Sequence, residues 1–281
     1  MAVAPLPVRP LQHRPATLPC APASVTPPRA APPGKLLSEL SLVMPAFNEE
    51  AGIEQVVVAA RAALAERCER FEIIVVDDGS TDSTPSRLRT ARRRVPELRV
   101  LTQPTNLGYG AALSRGLRAS RFDPVLYTDA DGQFDLADLD RAVPLLAGAD
   151  LVAGYRAERA DAWLRKLASA GFNLLARLVL GIEARDVDCA FKLFRRAFLD
   201  RLHLVSTGFL VDSEIYARAR RSRAVVRQLP VRHLARLAGR STVRLTAVWK
   251  SGRDLVALRA RLRAERRVSA PATAHPTWQS R

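Results

Sequence analysis

From about residue 38, short apolar runs alternate along the chain with stretches of helical periodicity. Residues 40–46 are nearly all apolar and read as a buried strand. Asn48 is placed to cap a helix whose first turn carries Glu49 and Glu50, the charge that a helix N-terminus favours. Ile53, Val56, Val57, Ala60 and Leu64 then share one helical face. Residues 71–76 read as a second strand ending in Asp77-Asp78-Gly79-Ser80, with a third at 99–102 and a fourth at 124–128. Helical patterns fill the gaps around 83–93 and 108–120. This rhythm predicts an α/β fold with a mostly parallel central sheet flanked by helices, whose ligands sit at the carboxyl ends of the strands.

Beyond Asp150 the rhythm continues in looser form. A strand is expected at 150–154, a long helix at 161–180, a strand at 190–194, a helix at 212–221, a strand at 225–231 and a helix at 243–263. Residues 1–35 hold ten of the nineteen prolines and almost no periodic apolar pattern, a spacing that neither helices nor central strands tolerate. The expected organisation is a disordered Pro-rich tail (1–37), one α/β domain (38–242), a basic amphipathic helix (243–267) and a second disordered tail (268–281). The first tail lacks the apolar segment of a secretory leader.

With 281 residues, 48% of them hydrophobic, the chain can bury a substantial core. No apolar run is long enough for a spanning helix. Cys20, Cys68 and Cys189 are too few and too scattered for a disulfide framework or a zinc site, which fits a reducing compartment. The formal charge of +16 predicts affinity for polyanions: nucleic acid, anionic lipid or phosphorylated substrates. No nucleic-acid module or interleaved stacking aromatics accompany it, so nucleic acid is not an expected partner. Residues 231–267 alone carry eleven basic and two acidic side chains. There Leu245, Val248, Trp249, Leu255, Val256 and Leu262 recur at helical spacing. Such a helix suits either an anionic membrane interface or packing on the domain with a solvated Arg face.

Carboxylates cluster where strands should end. Asp77 and Asp78 follow the second strand; Asp129 and Asp131 follow the fourth, in Thr-Asp-Ala-Asp-Gly-Gln. Four carboxylates at two strand ends are costly without a cation or hydrogen-bond donors. Mg²⁺ or Mn²⁺ would suit Asp129, Asp131 and the amide oxygen of Gln133, with phosphate oxygens completing the shell. A capped, solvated loop is the plainer alternative. Asn106-Leu107-Gly108-Tyr109-Gly110 opens a helix and serves either as a tight turn or as a close backbone approach to a ligand. Arg165, Ser169 and Asn173 share a helical face, as a phosphate site or as an ordinary solvated surface. Leu164, Leu167, Gly171, Leu174, Leu175 and Leu178 lie opposite, toward core or lipid. His203 and His233 have no metal-like companions, and Asp212 and Glu214 are either acidic site residues or a helix N-terminus.

Four segments together carry a resemblance: residues 43–49 (Val-Met-Pro-Ala-Phe-Asn-Glu), 74–82 (Ile-Val-Val-Asp-Asp-Gly-Ser-Thr-Asp), 106–110 and 129–133 (Asp-Ala-Asp-Gly-Gln). In this order they resemble the family 2 glycosyltransferases, most of all the dolichyl-phosphate mannose synthase and polyprenyl-phosphate glycosyltransferase branch, over roughly residues 40–242. The resemblance implies a GT-A fold, a nucleotide-sugar donor, a divalent cation and inversion at the sugar carbon. It implies donor contacts from Pro45, Phe47, Glu49, Val76, Asp78, Asp129, Ala130, Asp131 and Gln133. The family often has Tyr where Phe47 stands, so a hydroxyl is missing there. Asp129, Asp131 and Gln133 are the implied metal ligands.

The resemblance extends to the second half. Gly154-Tyr155-Arg156 and Arg165-Lys166-Leu167-Ala168-Ser169 resemble segments that bind the acceptor phosphate, which implies roles for Arg156, Arg165 and Ser169. Residues 186–194 resemble an Asp-x-x-x-x-Phe-Arg/Lys-Leu segment, whose aspartates line the sugar pocket or order a loop. Residues 233–242 resemble a loop that closes over the donor diphosphate, with Arg236 on the family's Arg. Thr242 stands where Lys is common, and Arg240 is a substitute. A polyprenyl phosphate, with a second pKa near ~6, is already a nucleophile at neutral pH and needs positioning rather than a general base. The expected protein is therefore a hexosyltransferase at the inner, cytoplasmic membrane face, with polyprenyl phosphate as acceptor and the anionic membrane surface as partner. GDP-mannose and UDP-glucose are both open as donors. A soluble or saccharide acceptor, and a non-catalytic nucleotide-sugar-binding protein, are the alternatives.

Overall fold

The computed structural model describes residues 34–157, 163–235 and 247–268, except for the side chains at 163–170, 247–251 and 266–268. A seven-stranded sheet forms its centre, in the order β3-β2-β1-β4-β6-β5-β7. The strands are β1 (Leu37–Ala46), β2 (Cys68–Asp77), β3 (Leu98–Thr102), β4 (Val125–Tyr127), β5 (Leu151–Arg156), β6 (Lys192–Phe194) and β7 (Val226–Val231). The helices are α1 (Ile53–Arg67), α2 (Thr84–Arg94), α3 (Tyr109–Ala119), α4 (Leu139–Leu146), α5 (Trp163–Leu180), α6 (Arg196–Leu199), α7 (Val211–Arg221) and α8 (Ala247–Val268). A short 3₁₀ turn, Leu136–Asp138, leads into α4. The apolar runs of β1 and β2 are buried on both faces, as parallel strands covered by helices must be. The buried residues of α1 are the five that share its predicted face.

The sheet is parallel except at β6, which runs antiparallel to both β4 and β5. Two consequences position the site. The chain order reverses between β1 and its two neighbours, β2 and β4, which opens a crevice at their carboxyl ends. The start of β6 lies beside the end of β4, with Lys192 opposite Tyr127 and also opposite Ala153 of β5. Thus the loops after β1, β2, β4 and β5 and the segment before β6 all gather at one edge.

Two expectations change, at Asn48 and on α5, and on α8 one of two open readings is seen. Asn48 does not cap α1, which begins after Gly52. It adopts φ 56° in the preceding loop, where its side chain accepts the Thr81 amide at 2.9 Å and its own amide donates to Ser80 Oγ at 3.0 Å. Those bonds tie the loop after β1 to the loop after β2. On α5, Asn173 is the inward residue and accepts the Val187 amide at 2.9 Å, whereas Leu174 and Leu178 are 55% and 70% exposed. The leucine face is therefore not core. On α8, Leu255, Leu258 and Leu262 are buried in the main hydrophobic cluster. Arg218 of α7 fixes this helix through a two-pronged pair with Glu265, at 3.0 and 3.1 Å. The described part of α8 thus packs on the domain and leaves Arg253, Arg259, Arg261 and Arg263 in solvent. Among the described residues no helix is long and apolar enough to cross a membrane.

Candidate active site

The loop after β2 is built on its aspartates. Asp78 is nearly buried and accepts three hydrogen bonds, from Gln103 Nε2 (2.6 Å) and the amides of Leu107 (2.8 Å) and Gly108 (3.0 Å). It clamps the Asn-Leu-Gly-Tyr-Gly turn. Asp77 accepts the Ser80 amide at 3.0 Å, while its other oxygen is buried without a hydrogen-bond partner. The glycines of the turn serve the protein's own backbone. Gly108, at φ +98°, faces the Thr207 carbonyl, and a side chain on Gly110 would meet the carbonyls of Ser206 and Gly208. Gly110 and Ala111 donate their amides to Thr207 O at 2.7 and 3.1 Å. The N-terminus of α3 is thus occupied by residues 206–208 rather than left open to a ligand.

Of the residues expected to contact the donor, Pro45, Val76 and Ala130 are buried. Val76 packs against Gly116 of α3, where only glycine leaves it room. Phe47 and Glu49 are partly exposed at the end of β1, as are Asp129, Asp131 and Gln133 after β4. Asp131 accepts the Gln133 amide at 3.1 Å. Gln133 in turn binds Leu234 twice, through its carbonyl (2.8 Å) and its side-chain amide (3.2 Å). Phe134 pairs with His233 as an isolated bridge and packs edge-on against its ring. The base of the 233–242 segment therefore docks on the two-aspartate turn. Arg236, Arg240 and Thr242 lie outside the described residues.

Burial and the adjacent Asp131 charge push the Asp129 carboxyl up to about 7. A nearby cation would relieve that cost. Two carboxylates and an amide within five residues suit a hard divalent ion. Among the described residues no three His, Cys, Asp or Glu side chains converge as a complete cage. The donor set itself, two carboxylates and an amide oxygen, fits a hard ion such as Mg²⁺, which characteristically shares its shell with substrate phosphates.

Around β5 and β6 lies a second cluster. Arg156 forms a two-pronged pair with Asp186, at 2.7 and 2.9 Å. Burial opposes its charge, but the Asp186 pair outweighs this and holds the guanidinium above its ordinary value. Burial, with the charges of Asp212 and Asp186, pushes Asp188 up to about 7. Asp186 also accepts the Arg156 amide at 3.3 Å. Asp212 and Glu214 are buried in the first turn of α7. Glu214 accepts the amides of Val205 and Ser206 and pairs with Arg218. The side chains of Arg165 and Ser169 lie outside the described residues; their helix, α5, is inward at Asn173. The resemblance places Lys192 on the Arg/Lys position of the 186–194 segment without a role, and the sequence singles out nothing at Tyr127; both are wholly buried here.

Comparison with known proteins agrees with this layout. Residues 41–202 match the model of glycosyl transferase family 2. Over 174 residues the chain is 35% identical to dodecaprenyl-phosphate galacturonate synthase of Rhizobium johnstonii, covering 59% of this chain and 51% of that protein. It is 32% identical to dolichyl-phosphate beta-glucosyltransferase of Trichomonas vaginalis, covering 68% and 64%. It is 30% identical to undecaprenyl-phosphate 4-deoxy-4-formamido-L-arabinose transferase of Edwardsiella ictaluri, covering 79% and 68%. The chain spans 49–64% of the length of the first three curated relatives. Among solved structures, glucosyl-3-phosphoglycerate synthase of Mycobacterium tuberculosis in complex with phosphoglyceric acid superposes with a TM-score of 0.61 at 26% identity, covering 80% of this chain and 79% of that one. The same enzyme with Mn²⁺, UDP-glucose and phosphoglyceric acid gives 0.59 at 26% identity, covering 80% and 79%. Because the family match spans more than half of the chain and includes the strands and turns that build this edge of the sheet, the protein belongs to glycosyl transferase family 2 and has the GT-A fold.

Proposed function

We propose that the protein is an inverting glycosyltransferase that moves a hexose from a nucleotide sugar, GDP-mannose or UDP-glucose, to a polyprenyl phosphate at the cytoplasmic face of a membrane. The observation that carries this reading is the two-aspartate turn after β4, beside the Arg156 cluster at the same sheet edge. Asp129, Asp131 and Gln133 would hold Mg²⁺ or Mn²⁺, which supplies charge screening for the diphosphate when bound. Phe47, Glu49 and Asp78 would flank the nucleotide, with Arg236 and Arg240 over the diphosphate. Arg156, Arg165 and Ser169 would orient the acceptor phosphate. A phosphate oxygen forms the new bond to the anomeric carbon as the bond to the diphosphate oxygen breaks. The electron pair leaves with the nucleoside diphosphate, and in-line attack inverts the anomeric centre.

The names of the curated relatives support a lipid phosphate acceptor. So do the exposed Leu174 and Leu178 on α5, which packs against α8 with its exposed arginines. A second reading, a soluble phosphorylated acceptor, is favoured by the structural likeness to a synthase that binds phosphoglyceric acid. A transfer assay tests the proposal. Purified protein, Mn²⁺ or Mg²⁺, labelled GDP-mannose or UDP-glucose and a polyprenyl phosphate should give label in the organic phase. That label should vanish with chelator and with Asp131→Ala. Retained anomeric configuration in the product would contradict the mechanism.

A further inference from the structure

A buried chain of polar groups joins the two halves of the site. The ammonium of Lys192, wholly buried in β6, has three protons and three acceptors: the carbonyls of Val187 (3.2 Å) and Cys189 (2.6 Å) and Asp212 Oδ1 (2.6 Å). The Tyr127 hydroxyl lies 3.3 and 3.4 Å from the two oxygens of Asp212 and in close contact with the Tyr109 hydroxyl. Tyr109 donates to Asp129 Oδ1 at 2.7 Å. An ordinary phenol loses its proton only at about pH 10, so each hydroxyl carries one proton near neutrality.

Proton counting gives this chain a direction. Two hydroxyl protons serve three contacts, Asp212–Tyr127, Tyr127–Tyr109 and Tyr109–Asp129. One proton must lie between the two hydroxyls, since two oxygens in close contact without one would repel. The other then reaches only one carboxylate. Lys192 already satisfies Asp212 at 2.6 Å, and the Tyr127 contacts to Asp212 are long. The Tyr109 proton therefore points at Asp129 Oδ1, as its 2.7 Å contact requires.

We propose that Tyr109 is a positioning residue that fixes the Asp129 carboxylate for its cation, and that Tyr127, whose ring lies under the Lys192 ammonium at 5.5 Å, fixes Tyr109. This rests on the reading of Asp129 as a cation ligand. It also explains why Lys192 is buried. The same ammonium holds the 187–189 segment, next to the Arg156–Asp186 pair, so the cation side and the acceptor side of the site share one anchor.

The test is Mn²⁺ binding, read as the loss of the free-ion electron paramagnetic resonance signal, with UDP and with GDP in separate titrations. Four variants are compared with the wild type: Asp131→Ala, Tyr109→Phe, Tyr127→Phe and the double phenylalanine variant. Phenylalanine keeps the ring that stacks on Phe209, 5.3 Å away, and thermal melts check folding. Wild-type binding that is lost in Asp131→Ala supports the metal reading. Tyr109→Phe should then weaken Mn²⁺ roughly tenfold, the size expected for one hydrogen bond to a charged group. The double variant should be no weaker than Tyr109→Phe alone, because both hydroxyls act through one bond. Affinity of Tyr109→Phe within about twofold of wild type, or losses that multiply in the double variant, would overturn the proposal and leave the metal reading standing. If Tyr109→Phe fails to fold, Tyr127→Phe carries the test: weakened Mn²⁺ supports the chain and unchanged Mn²⁺ overturns it. Wild type that takes up no Mn²⁺ with either nucleotide would overturn both.

Discussion

Arg156 and Asp186 form a two-pronged pair at the carboxyl end of β5, at 2.7 and 2.9 Å, with side chains only 16% and 3% exposed. Neither charge stands alone: Asp186 is the counter-ion of the guanidinium that the proposed function sets against the acceptor phosphate. Removing one member of such a pair leaves the other charge buried. Asp186→Ala should therefore cost roughly 3–5 kcal/mol, measured by urea unfolding. A loss below about 1 kcal/mol would mean that the pair behaves as a surface pair.

The Asp129 carboxyl gives a pH signature. Its value rises from 3.8 to about 7 on folding, so the folded protein binds this proton more tightly than the unfolded chain does. Its contribution to stability is therefore fully present at low pH and is lost as pH rises through about 7. Without metal, Asp129→Asn should raise the melting temperature at pH 8 and change it little at pH 3.5, below the unfolded value of 3.8. An equal shift at both values would contradict this assignment.

Gly108 stands at φ +98° against the Thr207 carbonyl. Gly108→Ala must strain the backbone and displace the 206–208 segment that caps α3. The expected loss is about 1–3 kcal/mol in chemical denaturation. Gly148, which faces open space, is the control and should tolerate alanine.

On the exposed face of α5, Leu178 has few contacts to lose, being 70% exposed. Leu178→Asp should leave the melting temperature nearly unchanged while reducing co-sedimentation with vesicles of anionic lipid. Unchanged sedimentation would remove this face from the membrane-binding account.

Much of the fold was legible because its strands are short apolar runs bounded by carboxylates, and the register of helix α1 followed from Ile53, Val56, Val57, Ala60 and Leu64. The carboxyl-end aspartates were legible for the same reason. What escaped was set by tertiary contact. Helix α4 contains Pro144, which reads as a breaker. The orientation of α5 could not be taken from its leucines, because Asn173 turns inward to hold the Val187 amide. Nor could the use of Gly108 and Gly110, since the segment that fills their space lies about a hundred residues away. Lys192 was legible as the basic position of the 186–194 segment, but its partners were not, because β6 must run antiparallel beside Tyr127 to bring Lys192 to Asp212.

The central claim is the lipid phosphate acceptor, and a competition assay tests it most directly. Protein, Mn²⁺ and a labelled nucleotide sugar would be offered a polyprenyl phosphate in detergent together with phosphoglyceric acid at equal concentration. The account predicts metal-dependent label in the organic phase, with little in the aqueous phosphorylated fraction. Label that enters phosphoglyceric acid while the lipid stays unlabelled would contradict it and establish a soluble acceptor.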